Sequence, residues 1–521
     1  MLVRLGEAAP LNARKPGSTC RPMAVPKVCG IETEYGILVR GAENNPVTAS
    51  ALLINAYTGA VEDQVAFDLI AEDPRRDARS PDPLDPYEFD PELEYVPVNA
   101  VLTNGARYYV DHAHPEMSTP EVRSPLEAVI WDRAGEEIIR ESIDAAQRLV
   151  PDGAEILIHK NNSDGKGNSY GCHENYLVDR TLPFGKVISA VMAHFVTRQI
   201  FAGSGKVGCE FPGMSSDAVD FQISQRADFF EEEVGLETTV RRPIVNTRDE
   251  PHCDASRFRR LHVIAGDANM SEVATFLKVA STAMLLSAVE DNPDLEMPAL
   301  ANPVRAITQV SHDPSLAAAI QAFDGTTIRA IDVQWQLFDI ARTWFEQTGG
   351  EAVGESDCAL ALKHWERILT GLEHDPLTVA DSVDWIAKHR LISAYAERHQ
   401  LRPGAAALRA IDLQYHDMRH QKGLASRCGL MTLATDEQVT KAMTSPPDTT
   451  RAFFRGRCIE RFPDEVLAAN WDSMVFDLGA DPLRRVPMDD PLRGTAELVA
   501  NVLANSATAR ELVAALAEPN E

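Results

Sequence analysis

No CxxC pair occurs in this chain: its eight cysteines, at positions 20, 29, 172, 209, 253, 358, 428 and 458, are scattered over 521 residues. That scatter argues against structural zinc and fits a reduced, cytoplasmic protein. The phosphate loop GxxxxGK[ST] is missing, so a bound nucleotide would need another cradle. No internal repeat is evident. The longest strongly apolar run, 279–289, is too short to span a bilayer and predicts a buried helix. Residues 1–22 have no apolar core segment and carry charges, Pro10, Gly17 and Pro22. They do not form a signal peptide and read as a disordered leader, or as the result of a start set upstream of the true one at Met23. Cations are scarce: 50 Lys and Arg stand against 78 Asp and Glu, a net charge of −28. This excess argues against nucleic-acid binding, and an acidic partner would need a local basic groove.

The remainder is ordinary for a globular protein, with 44% hydrophobic and 25% charged residues. The length predicts two or more domains, or one large enzyme domain with an appendage. Residues 28–38 alternate as a strand, with Ile31, Thr33, Tyr35 and Ile37 on one face and Glu32 and Glu34 on the other. A helix is expected within 44–57. The stretch 58–98 is rich in Asp, Glu and Pro without periodicity, and reads as a long mobile loop. Residues 106–111 form another strand, placing Arg107, Tyr109 and Asp111 on one face. Ser124 as N-cap, Pro125 at the first helical position and Glu127 in a capping box predict a helix running to about Val150. Strands at 154–160, 169–178, 219–226, 243–248 and 260–265, with helices at 184–202 and 271–290, do not alternate as a βα barrel requires. The expected class is therefore α+β with a large antiparallel sheet. Residues 300–430 read as mostly helical, and a small C-terminal domain is expected from about Asp436.

Four groups of residues can carry chemistry. Glu32 and Glu34, two apart on a strand, can hold one hard cation or two neighbouring ones, or form a solvated face. Arg107, Tyr109 and Asp111, followed by Glu116, Thr119 and Glu121, combine a phosphate-binding cation, a base or nucleophile and metal-binding carboxylates; a polar outer strand with surface ion pairs is the simpler alternative. His173 and Asn175 can touch a nucleotide or substrate. Arg226, Arg241, Arg242, Arg248, Arg259 and Arg260, with His252 and His262, form a cationic set in an acidic chain and suit phosphate or carboxylate. His112-x-His114 raises a rival, a zinc or iron amidohydrolase, but the barrel rhythm of such enzymes is absent.

Several longer stretches resemble one family, the Pup ligase and Pup deamidase/depupylase family, related in fold to glutamine synthetase. They include GIETEYG (30–36), NPVTASALLINAY (45–57), NGARYYVDHAHPE (104–116), KNNSDGKGNSYGCHENY (160–176), FQISQRADFFEEEVGLETT (221–239), RRLHVIAGDAN (259–269), TRAFFRG (450–456) and WDSMVFDLG (471–479). The insert at 58–98 and the wording VDHAHPE are more similar to the depupylase branch than to the ligase branch. The resemblance implies a glutamine-synthetase-like catalytic domain over 23–435 and a small domain over 436–521. It implies Mg bound at Glu32, Tyr109 and Glu116, ATP contacts from Arg107, Thr119 and Trp471, and Asp111 as the catalytic residue. Face placement and chemistry add Glu34 to the metal set, and His173 and Arg248 to the ATP set. The implied activity is hydrolysis of an amide at the C-terminal residue of Pup. This would deamidate its Gln and release pupylated proteins, with ATP, or ADP plus phosphate, and Mg held as cofactors. The alternative is the ligase reaction. The implied partners are Pup and pupylated proteins, with a functional link to the bacterial proteasome and none to nucleic acid or membrane.

Overall fold

The computed structural model describes residues 24–42, 45–59, 64–69, 75–79, 98–479 and 482–517. The leader expected at 1–22 lies outside the described residues, as does most of the 58–98 insert. Twelve strands matter for the site. They are Cys29–Glu34 (β1), Gly36–Arg40 (β2), Ala66–Phe67 (β3), Asn99–Val101 (β4), Arg107–Asp111 (β5) and His114–Ser118 (β6). After these come Glu155–His159 (β7), Cys172–Asp179 (β8), Phe258–Val263 (β9), Val466–Ala469 (β10), Ser473–Phe476 (β11) and Arg484–Pro487 (β12). Ten of them make one sheet in the order β9-β8-β1-β6-β5-β4-β3-β10-β11-β12. Its neighbours run antiparallel except β3 and β10, so the α+β class with a large, mainly antiparallel sheet is the observed one.

The single strand expected over 28–38 is in fact two. β1 ends at Glu34, the Tyr35 N–H donates to Pro115 O at 3.0 Å, and β2 leaves the large sheet to pair with β7. Gly36 lies at the break, where a Cβ would stand 2.5 Å from the Tyr170 hydroxyl. A larger residue there would run into the Tyr170 and Asn161 side chains, so glycine suits this position.

Helix Pro46–Thr58 (α1) starts at an Asn45 cap, and helix Pro125–Ala146 (α2) starts at Ser124, whose Oγ accepts from Glu127 N at 3.3 Å. The expected capping box does not close. The Glu127 carboxylate accepts instead from Arg123 N at 3.2 Å, one residue further back, and Ser124 Oγ donates to Asp357. α2 also stops short of Val150: Val129, Ile130, Ile139 and Ile143 are buried on it, while Leu149 lies beyond its end, 62% exposed.

Helices Phe184–Thr197 (α3), Glu272–Asp291 (α4), Ala330–Thr348 (α5) and Glu355–His374 (α6) share one continuous core with Ile31, Tyr176, Val178 and Leu261 of the sheet. α4 carries the apolar run noted above; it is long and apolar enough to cross a membrane, and all of its apolar window is buried. A second core gathers Phe454 and Ile459 of helix Ala452–Arg461 (α7) with Met474, Phe476, Val486 and Leu512. Val65 and Phe67 belong to it as well. The expectation of a structureless insert therefore fails at 66–67, where β3 stitches the second core onto the sheet. Helix Asp436–Thr444 does not join that core; Val439 and Ala442 pack with Ile130 and Ala134 of α2.

Candidate active site

The antiparallel registers line up polar side chains across four strands. Tyr109 is opposite Glu116, and Glu116 is opposite Glu34. One step along, Arg107 is opposite Ser118, Ser118 opposite Glu32, and Glu32 opposite His173. Asn175 stands between Gly30 and His262. Two groups of donors result. Atoms of Glu34, Asp111 and Glu116 all lie within 4.8 Å of one another, and so do atoms of Glu32, His173 and His262.

The two groups differ electrically. Burial drives the Glu116 carboxyl well above the usual carboxylate range, and the charges of Asp111, Glu34 and Glu32 push the same way. A hydrogen bond from Tyr109 opposes them. Glu34 is also buried, yet His114, His173 and the Gly171 N–H, which donates at 2.7 Å, hold its carboxyl at about 2. Burial likewise opposes ionisation of Glu32, but His173, His262 and Arg260 keep it well below its ordinary range. The Glu34–Asp111–Glu116 group is thus short of positive charge. An all-oxygen donor set of this kind fits a hard divalent cation such as Mg, and the mixed group beside it can take a cation accepting nitrogen and oxygen.

Asp111 is the accessible member, with its side chain 36% exposed. It ends β5, where the chain turns through His112 and Ala113 into β6. His112 adopts φ +52°, and its Nδ1 lies 2.9 Å from Asp111 Oδ2. His114 points elsewhere, with Nδ1 3.3 Å from Glu34 Oε2 and its ring 4.5 Å from that of Tyr170. The two histidines do not converge, which removes the HxH metal reading. A left-handed backbone at His112 makes its side chain's branching matter. His112→Val should lower stability by about 1–2 kcal/mol and His112→Gly should stay within about 0.5 kcal/mol, read by chemical denaturation. Equal losses in both variants would mean that the turn relaxes to negative φ.

Beside these groups a cleft opens, walled by Val28, Leu177 and Trp471 and edged by Thr119, Arg260 and Arg451. Its mixed lining, apolar on one side and cationic on another, suits a ligand with an apolar ring and an anionic part. Thr119 and Trp471 stand in its wall, as does Glu32. Thr119 Oγ1 also accepts from Ile31 N at 3.0 Å. Arg107 lies next to this wall, its guanidinium 3.9 Å from the Phe67 ring centre and 3.8 Å from that of Tyr109, with Nε donating to Asn99 at 2.8 Å. His173 sits with the Glu32 group, Nδ1 being 3.5 Å from Glu32 Oε2. Arg248 is outside the cleft wall; its backbone bridges to Asp77, and its charge helps depress His262.

Sequence reasoning singled out neither His262 as a ligand candidate nor Arg451 as a wall residue. The signal for His262 was its alternation with Arg260 on one strand, which aims both at Asn175: Arg260 Nη1 donates to Asn175 Oδ1 at 2.9 Å, and His262 Nδ1 lies 3.0 Å from the same oxygen. The cationic set at 226–260 does not act as one lining. Arg226 donates to Ile264 O at 2.6 Å, Arg241 pairs with Glu232 at the surface, and Arg259 lies 3.6 Å from Asp249.

A sheet whose polar residues gather two groups of potential metal donors beside a cleft belongs, in this chain, to a known class. The model of the Pup-ligase protein family matches residues 27–475, and the chain belongs to that family. Within it, the depupylase of Acidothermus cellulolyticus is 47% identical over 503 residues, covering 94% of this chain and 99% of the relative. The Pup deamidase/depupylase of Mycolicibacterium smegmatis is 43% identical over 503 residues, with the same coverage. Among solved structures, the complex of Pup with its ligase PafA matches with a TM-score of 0.76 at 30% identity, over 95% of this chain and 96% of that one. PafA in complex with ADP matches with a TM-score of 0.69 at 33% identity, over 78% and 89%. The fold is therefore that of the Pup ligase.

Proposed function

We propose that this chain is a Pup deamidase and depupylase. It hydrolyses the side-chain amide of the modifier's C-terminal residue. In free Pup this converts Gln to Glu and frees ammonia. In a conjugate it frees the lysine amine of the modified protein, so one acyl chemistry serves two leaving amines. Near-complete alignment with relatives named for these reactions supports the reading. The structural observation that carries it is Asp111, an accessible carboxylate at the rim of an otherwise buried cluster.

Asp111 takes a proton from water or attacks the amide carbonyl itself; either route ends in a carboxylate and a released amine. Arg107, four residues before Asp111 on the same face of β5, offers a fixed cation that would help neutralise charge near the reacting carbonyl. Glu34 and Glu116, with Tyr109 orienting Glu116, and Glu32 beside them are the proposed Mg ligands. Bound Mg would neutralise negative charge at the carbonyl. The cleft between Thr119, Arg260 and Trp471 is the proposed seat of ATP or ADP, in keeping with the ADP held by the related ligase. His173 and Arg248 flank the groups that would face its phosphates. Amide hydrolysis requires no nucleotide energy, so the nucleotide is a resident cofactor. The partners are Pup and pupylated proteins, in the cytoplasm, in a pathway linked to the bacterial proteasome.

The test is a purified Pup–protein conjugate incubated with the chain, Mg and ATP and followed on a gel. Release of intact protein and free Pup is the expected result. A conjugate left untouched, with new conjugates built from Glu-ended Pup, would make the chain a ligase.

A further inference from the structure

Trp471 forms a wall of the cleft but packs against the second core, and an arginine links it to a carboxylate just after β6. Glu121 follows β6 by three residues. Its Oε1 accepts from Arg451 Nε at 2.6 Å and from Arg455 Nη1 at 3.2 Å, and its Oε2 accepts from Arg455 Nη2. Both arginines belong to the α7 segment and are buried. Arg455 goes on to hold Trp471: Nη1 donates to Trp471 O at 3.2 Å, and the guanidinium lies 5.1 Å from the indole centre. It also donates to Gly105 O at 3.0 Å, which ties the same cation to the turn before β5. On its other side the indole meets Phe67 edge-on, with ring centres 5.7 Å apart. Arg451 carries the second arm, its Nη1 donating to Met488 O at 2.8 Å.

One carboxylate therefore satisfies two buried guanidiniums, and one of them, Arg455, holds a ring presented to the cleft. A buried charge pair of this geometry is costly to half-remove and defines a single arrangement while intact. The second core also meets the sheet through the short strand β3 and through polar contacts such as Arg257 with Asp490 and Thr450 Oγ1 with Glu121 O, and neither of these polar contacts touches the indole.

We propose that Glu121 is a positioning residue for the nucleotide: acting through Arg455, it sets Trp471 as the wall against which the ligand's ring packs. This rests on the reading of the cleft as a nucleotide site. The consequence is that nucleotide binding and docking of the second core are linked, each favouring the other.

The experiment is calorimetric titration of ADP with Mg into the whole chain and into Glu121→Gln, Trp471→Ala and the double variant, with circular dichroism as a check on folding. Glu121→Gln should weaken ADP binding about 10- to 100-fold, the range for losing charge-assisted contacts that orient a ligand-binding group. In the Trp471→Ala background the same change should cost several-fold less, because the ring it positions is gone; the remainder runs through Glu121 and Arg451, which line the cleft themselves. Equal losses in both backgrounds would overturn the proposal, as would unchanged ADP affinity in Glu121→Gln. A purely structural loosening predicts the equal losses. Should Glu121→Gln fail to fold, Arg455→Lys keeps the charge but loses the planar fork, and the same cycle with Trp471→Ala decides. Failure of the unaltered chain to bind ADP would overturn the nucleotide site itself, and this inference with it.

Discussion

Asp111→Asn should reduce release of Pup from conjugates by at least about 10³-fold, since an amide in this place can neither take a proton from water nor attack a carbonyl. Folding and ADP affinity should be unchanged. The Asp111 side chain is partly exposed, its hydrogen bond to His112 has an acceptor equivalent in the Asn carbonyl oxygen, and it stands outside the cleft wall. The same variant should lose deamidation of Gln-ended Pup in equal proportion. Loss of one reaction with retention of the other would show that two sites are at work. Turnover within 10-fold of the unaltered chain in both reactions would remove Asp111 from the chemistry and turn attention to the carboxylates behind it.

Arg198→Met should be the most damaging change to stability, at about 3–5 kcal/mol, a large part of the stability of a typical domain. Arg198 is buried between β8 and α4. Its Nη2 and Nη1 donate to the two Glu174 oxygens at 2.6 and 2.9 Å, and it reaches Thr282 at 2.9 Å and Ala265 O at 3.1 Å. The Tyr176 hydroxyl donates to Glu174 at 2.6 Å. Removing the cation leaves Glu174 charged and buried, directly opposite Ile31 of β1. Because β1 and β8 carry Glu32 and His173, the loss should register in metal binding as well as in the denaturation midpoint. A double change of Arg198→Met with Glu174→Leu should recover part of the loss, because no uncompensated charge then remains. A loss below about 1 kcal/mol for Arg198→Met alone would mean that water reaches Glu174.

Much of the site was legible because strand alternation is a strict rule. The spacing Arg107-x-Tyr109-x-Asp111 shares one face of β5, as read, and Glu32 and Glu34 both face the site even though the strand breaks one residue later. The break was not legible: its cause is the close passage of Tyr170 over Gly36, a contact between segments more than 130 positions apart. The second donor group was missed for the same kind of reason. His262 meets Glu32 and His173 only because β8 pairs with both β1 and β9, and a single sequence does not state which strands are neighbours. HxH suggested a metal ligand pair by its spacing, but the left-handed turn at His112 sends its two imidazoles to different carboxylates. In the insert, Val65 and Phe67 were obscured by the acidic, proline-rich residues after them, though both are buried in the second core. Arg451 and Arg455 lay inside a stretch noted only for its resemblance. Their role depends on Glu121, more than 300 positions away in the chain.

As a Pup deamidase, the chain would place a water-derived oxygen on the side-chain carbonyl carbon of Pup's last residue. The most direct measurement is the intact mass of Gln-ended Pup after incubation with the chain, Mg and ATP in ¹⁸O-water. The expected result is conversion of the terminal Gln to Glu with one solvent oxygen incorporated and no lasting loss of ATP in proportion to product. Unchanged Gln-ended Pup, together with ATP consumed as Glu-ended Pup is joined to lysine, would contradict it.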